Sequence, residues 1–139
     1  MISTVLVPMD DSEMAEKALK FALEAHPNAD ITVFHVVGEP SPFLAEAAGL
    51  ALADDIEEAA KERASDVFER AREIAQAHDV EIKTQFSLGQ PAKAIVRQAE
   101  NYDVVVMGSH GRDLQSRILM GNIAEKVSRR CPVPVTVVR

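Results

Sequence analysis

The chain's 139 residues suit one domain, which should bury roughly two-thirds of the surface its unfolded form exposes. With 47% hydrophobic but only 4% aromatic residues, the core has to be built from Val, Ile, Leu and Ala, the material of a parallel sheet between helices. The net charge of −7 argues against a nucleic-acid partner, which needs a basic face; the apolar run Phe43 to Ala53, broken by Glu46, falls far short of the about 20 residues of a membrane span.

Met1 leads into Val5-Leu6-Val7 without a basic region or a small-residue cleavage site, so no signal peptide is expected and a cytoplasmic address follows. Thr4 to Met9 predicts the first strand. Ser12 to Ala25 predicts a helix, with Ala15, Ala18, Leu19, Ala22 and Leu23 at helical spacing, Ser12 as N-cap, and Glu13 and Glu16 where the helix dipole favours acids. Ile31 to Val37 is a second β-rich run. Gly38 to Ala53 reads as a long loop, of the kind that serves as a lid or binding loop.

Asp54 to His78 is the longest helix, its face of Ile56, Ala60, Ala64, Val67, Ala71, Ile74 and Ala75 suited to packing on a sheet. Val80 to Ser87 alternates apolar and polar residues, the pattern of a half-buried strand near a sheet edge. Gly89 breaks it, and Pro91 opens a helix with the stripe Ala92, Ile95, Val96 and Ala99. Val104 to Met107 is the fourth strand. A glycine-rich segment follows, then a helix expected to bury Leu119, Ile123, Val127 and Cys131, then a last strand within Val133 to Val138. The single Cys131 fits a reducing compartment and reads as a small buried apolar residue.

Five strands alternating with four helices predict an α/β fold, a single-domain, Rossmann-like parallel sheet of order 3-2-1-4-5 with helices on both faces. Ligands in such folds sit beyond the carboxyl ends of the strands where the order reverses. Here that selects the loops Met9-Asp10-Asp11-Ser12 and Gly108-Ser109-His110-Gly111. The second loop belongs to Gly108-x2-Gly111-x9-Gly121, three of the chain's six glycines within fourteen residues. Glycines after a strand let backbone N–H groups approach an anion, and a helix starting near Gly121 aims its free N–H groups at the same place. Between Gly108 and Cys131 five bases and two acids make a local +3, leaving −10 on the rest, which fits a small anion better than a polymer. Arg129 and Arg130 read as cations of a helix's last turn, so Arg112 and Arg117 are the more informative pair.

The chain resembles the universal stress proteins, and within them the nucleotide-binding branch, over its whole length, residues 1–139. The resemblance rests on Val5-Leu6-Val7-Pro8-Met9-Asp10-Asp11-Ser12, His35-Val36, Leu88-Gly89-Gln90-Pro91, Met107-Gly108-Ser109-His110-Gly111, Gly121 nine residues on, and Cys131-Pro132-Val133-Pro134-Val135. It implies a stress-response regulator that binds ATP, with ADP or AMP as alternatives, usually in a homodimer joined through the last strand. By position, Asp10 and the Val36 backbone would hold the adenosine end. Met107 and Gly108 would line the nucleoside and Gly111, Gly121 and Asn122 would cradle the phosphates, with Pro8 and Arg112 completing the set. Asn122 departs from the family pattern, in which Ser or Thr follows the last glycine. An Asn amide donates and its carbonyl ligates with a different reach from a hydroxyl, which bears on phosphate number and on use of Mg or Mn.

Competing readings remain open from the residues. His110 sits in the glycine loop, where it could contact phosphate or act as a general base; without a matched carboxylate or nucleophile it reads as a positioning or solvent-facing residue. Asp10 is the better ligand candidate and Asp11 the helix-capping one. The four histidines show no i,i+4 pairing, which disfavours a structural zinc site. No Gly-Lys-Ser/Thr phosphate loop occurs, so catalysis is limited to slow, metal-dependent ATP hydrolysis. The third reading is a dimeric interaction module without nucleotide.

Overall fold

Val5-Leu6-Val7 and Val104-Val105-Val106 are apolar at every position because both faces of these strands are covered, the mark of central parallel strands. The computed structural model describes residues 1–38, 53–110 and 120–139. Their elements are β1 (Thr4–Pro8), α1 (Glu13–Ala25), β2 (Asp30–Val37), α2 (Ala53–Ala77), β3 (Lys83–Leu88), α3 (Pro91–Ala99), β4 (Val104–Gly108), α4 (Asn122–Arg130) and β5 (Val135–Val138). All strands are parallel, in the order β3-β2-β1-β4-β5.

The two-residue period of the strands splits the core. Val5, Val7, Ile31, Val33, Val104 and Val106 face α1 and α2, whereas Leu6, Phe34, Val105 and Met107 face α3 and α4. The α1 stripe of Ala15, Ala18, Leu19, Ala22 and Leu23 is buried as its spacing predicts, and the Ser12 hydroxyl caps it by accepting from Ala15 N at 3.1 Å. Helix α2 ends on Asp79, in the left-handed region at φ 57, and Val80 N reaches back to Ala75 O at 3.0 Å. This 6→1 bond satisfies one of the helix's last carbonyls.

Two strand starts and one helix face differ from the sequence pattern. β3 begins at Lys83 rather than Val80, because Val80 and Ile82 pack against the core before pairing with β2 starts at Thr32↔Lys83. β5 begins at Val135, since Pro134 has no N–H to give; its carbonyl still accepts from Val105 N at 3.0 Å. In α4 the buried face is Ala124 and Val127, flanked by half-buried Met120 and Cys131, and Ile123 is 41% exposed. Two stripes fit the same helical period. The one containing Ala124 brings the helix closer to the sheet, so packing prevails over side-chain hydrophobicity.

The amino end of the sheet is closed by Asp103. Its Oδ2 accepts from Ser3 N at 2.8 Å and Thr4 N at 3.1 Å, while its own N–H donates to Thr4. The Ser3 and Thr4 N–H groups hold the Asp103 carboxyl below the usual carboxylate range. A depressed folded pKa means that this stabilisation is complete above the ordinary carboxylate value of about 4 and is lost as pH falls through the folded midpoint. Urea unfolding at a series of pH values should therefore show wild type losing stability more steeply below about pH 4 than Asp103→Asn. Leu6, fully buried in the central strand, should cost about 2–5 kcal/mol when truncated to Ala, read from the same urea curves.

Candidate functional site

β1 and β4 are neighbours whose chains leave the sheet toward opposite flanks, the strand-order reversal beyond whose carboxyl ends such folds place a crevice. One wall is Met9-Asp10. Met9 N donates to Phe34 O at 2.9 Å, and Met9 O accepts from His35 Nδ1 at 2.7 Å, so the exit of β1 is pinned to β2 through both backbone polar groups of one residue. A carbonyl only accepts, which places the His35 proton on Nδ1. Asp10, half-buried, bends the chain into α1 by accepting from Ser12 N at 2.9 Å through Oδ1.

Val36 enters through its backbone. Along a strand, alternate residues present N–H and C=O to the same side. Phe34 O points to β1 and therefore so do the polar groups of Val36. The β1 ladder ends at Pro8↔Phe34, however, while β2 continues against β3 to Val37↔Leu88. Val36 thus carries its backbone groups past the end of β1, toward the crevice. Pro8 and Met107 are buried at its floor and Gly108 is half-buried beside them.

The opposite wall is tied through Ser109, which is 1% exposed. Its N–H donates to Val138 O at 2.8 Å, and its carbonyl accepts from Gly121 N at 2.6 Å. This seats the start of α4 against the exit of β4. Gly121 is the N-cap and supplies no capping side chain; Asn122 is exposed at the first helical position. Asp10, Val36, Pro8, Met107, Gly108, Gly121 and Asn122 all lie around this end of the sheet. Gly111, Arg112, Arg117 and the loop 39–52 lie outside the described residues.

The two described glycines of the spacing motif do not supply the positive φ that glycine after a strand allows. Neither has positive φ: Gly121 sits at φ −67, and the only residues in the left-handed region among those described are Asp79 and Gly89. What they require is room. A Cβ on Gly108 would meet Met14 Cγ at 2.8 Å and the Met14 carbonyl carbon and oxygen at 3.0 Å; on Gly121 it would meet Ser109 O at 3.1 Å and His110 Cα at 3.3 Å. Gly108 lets α1 lie on β4, and Gly121 lets α4 approach the loop after β4.

Of the two roles the sequence leaves to His110, the solvent-facing one does not hold: only 9% of it is exposed, Nδ1 lies 2.8 Å from Ser109 Oγ, and Nε2 is buried with no hydrogen-bond partner among the described residues. The signal is the strand immediately before it, whose buried end continues into Ser109 and His110. Ser109 is the residue the sequence gives no role of its own.

Gly108→Ala should destabilise the fold by on the order of 1–3 kcal/mol, since α1 backbone has to move. Gly121→Ala should destabilise it less, having no contact under 3.0 Å; equal losses in urea unfolding would contradict this account.

Comparison with known proteins places the architecture. A family model described as the universal stress protein family matches residues 1–139. A universal stress protein of Methanocaldococcus jannaschii is 32% identical over 141 residues, covering 97% of this chain and 81% of the relative. A second from the same organism is 28% identical, and its solved structure covers 99% of this chain and 96% of its own at a TM-score of 0.79. A universal stress protein of Archaeoglobus fulgidus, solved in complex with dAMP, shares the fold at a TM-score of 0.63 and 21% identity, covering 100% of this chain and 98% of that one.

Proposed function

The chain belongs to the universal stress protein family, and on that premise we propose that it is a cytoplasmic regulatory module whose crevice between the ends of β1 and β4 binds an adenine nucleotide, ATP first among them. The observation that carries this reading is the convergence at one reversal point of three unlike groups: Val36 backbone beyond the β1 ladder, the Asp10 carboxylate, and the start of α4 with no capping side chain. Backbone polar groups of the first kind suit the edge of a base, a carboxylate suits ribose hydroxyls, and a helix start suits phosphate.

In this arrangement Asp10 and Val36 hold the adenosine end, and Pro8, Met107 and Gly108 line it. Gly121 and Asn122, with Gly111 and Arg112, receive the phosphates. Asp10 Oδ1 is engaged by Ser12 N, which leaves Oδ2 for the ligand or, together with the Asn122 carbonyl, for a Mg or Mn ion that would offset phosphate charge. The fold relative solved with dAMP is alike in architecture only. Strand β5, at the sheet edge, is the surface through which a second copy of the chain would pair, with Pro134 limiting the ladder. Occupancy of the crevice would be reported through that surface and the adjoining loops, with no catalysis required.

Purified protein should carry ATP or ADP, identifiable by mass spectrometry of the released small molecule. After stripping, millimolar ATP should raise Tm; ligand at 100 times Kd adds about 2.7 kcal/mol of stability. Asp10→Asn, which keeps an oxygen for Ser12 N, should weaken ATP binding with little change in unliganded Tm. A stripped sample whose Tm is indifferent to ATP, ADP and AMP overturns the proposal.

A further inference from the structure

β3 ends the sheet on the side away from β5 and has β2 as its one strand partner among the described residues. Gly89 N donates to Val37 O at 3.1 Å. In a parallel ladder the two polar groups of a residue point to the same side and those of its neighbours point to the other, so Gln85 and Ser87 bond to β2. The N–H and C=O groups of Thr84, Phe86 and Leu88 point off the sheet, with no backbone partner among the described residues. A row of such groups is a template for another strand.

Beside this edge lies a groove of about 350 Å³ between β3 and α3. It exists because α3 packs over β2, with Ile95 and Ala99 in one apolar cluster with Phe34, and reaches β3 through Gln98 Nε2, which donates to Gln85 Oε1 at 3.0 Å. Phe34, Ser87 and Leu88 line one side, and Lys93, Arg97 and Gln98 line the other. Both charged residues of the lining are basic, and neither has an ion pair among the described residues. The surroundings share that sign: α3 and α4 carry five bases and one acid, whereas α1 and α2, on the opposite face of the sheet, carry six bases and eleven acids. An acidic partner is therefore drawn to the α3 side of the edge.

The spacing selects the form of that partner. Lys93 and Arg97 are four residues apart on α3, about 6 Å along its axis, and alternate side chains of an extended strand are about 6.6–6.8 Å apart on one face. Carboxylates two residues apart in a strand thus meet cations four apart on a helix. We propose that β3 and this groove form a docking site for an extended acidic segment of another protein, which adds a strand outside β3 and lays carboxylates at its positions i and i+2 against Lys93 and Arg97. Thr84, Phe86 and Leu88 supply main-chain hydrogen bonds, and the two cations select the sequence. A second copy of this chain is a poor occupant, because two β3 edges would bring the same basic surface together. The site is separate from the crevice and requires no nucleotide in it.

Fluorescence anisotropy on the full chain tests this with a labelled peptide in which two glutamates alternate with valines, and with an N-methylated copy that keeps the charges but cannot pair. The first peptide should bind wild type, and N-methylation should remove most of its affinity. Lys93→Glu combined with Arg97→Glu should weaken it about tenfold. Both side chains are exposed, so this variant should match wild type in Tm and in its response to ATP. In the complex, hydrogen exchange should slow at the Thr84, Phe86 and Leu88 amides and stay unchanged at Gln85 and Ser87. Absence of binding to wild type overturns the proposal, as does binding that survives N-methylation or the double charge reversal. Protection of the three edge amides that rises with protein concentration, without peptide, gives the edge to a second copy of this chain and overturns it too.

Discussion

Everything at the carboxyl end of this sheet depends on the pairing of β1 with β4. The two are far apart in sequence and adjacent in space, each with both faces buried, and their register is fixed at the other end by Asp103 on the N–H groups of Ser3 and Thr4. Since β1 hands its chain to a helix on one face and β4 to a helix on the other, the two connections leave the point between them in opposite directions. The crevice is a consequence of topology before it is a consequence of any side chain.

A small set of backbone hydrogen bonds turns that opening into a shaped site. Met9 is held to β2 at both its N–H and its carbonyl, and Ser109 to β5 and to the start of α4. Both residues are buried, so these bonds are shielded from water and leave the loop exits little freedom. The groups they present, among them Val36 backbone, the Asp10 carboxylate and the α4 N–H groups, are consequently set before any ligand arrives. Preorganisation of this kind lowers the ordering entropy a ligand must overcome.

Two of the motif's glycines have a packing role beside the one their spacing invites. Gly108 and Gly121 mark where α1 and α4 press against the exit of β4, close enough that a Cβ would meet Met14 or Ser109. Ser109 stands at the centre of that packing, which is why an ordinary polar residue between two functional-looking ones is among the most buried in the chain.

Strand order, the stripes of α1 and α2, the edge character of β3 and the location of the crevice were legible in the sequence, because each follows from a period or from chain alternation and neither depends on atomic fit. That Pro8, Asp10, Val36, Met107, Gly108, Gly121 and Asn122 gather at one end of the sheet was legible for the same reason. The face α4 turns inward was not, since stripes containing Ile123 or Ala124 satisfy the same period and only the closeness of helix to sheet separates them. Nor was the burial of His110, which lies against Ser109 and the start of α4 through contacts that sequence spacing does not encode. The sequence by itself determined which elements form and in what order they stack. Tertiary packing decided which polar groups are left facing the crevice without a partner, because that depends on where every other donor and acceptor has gone.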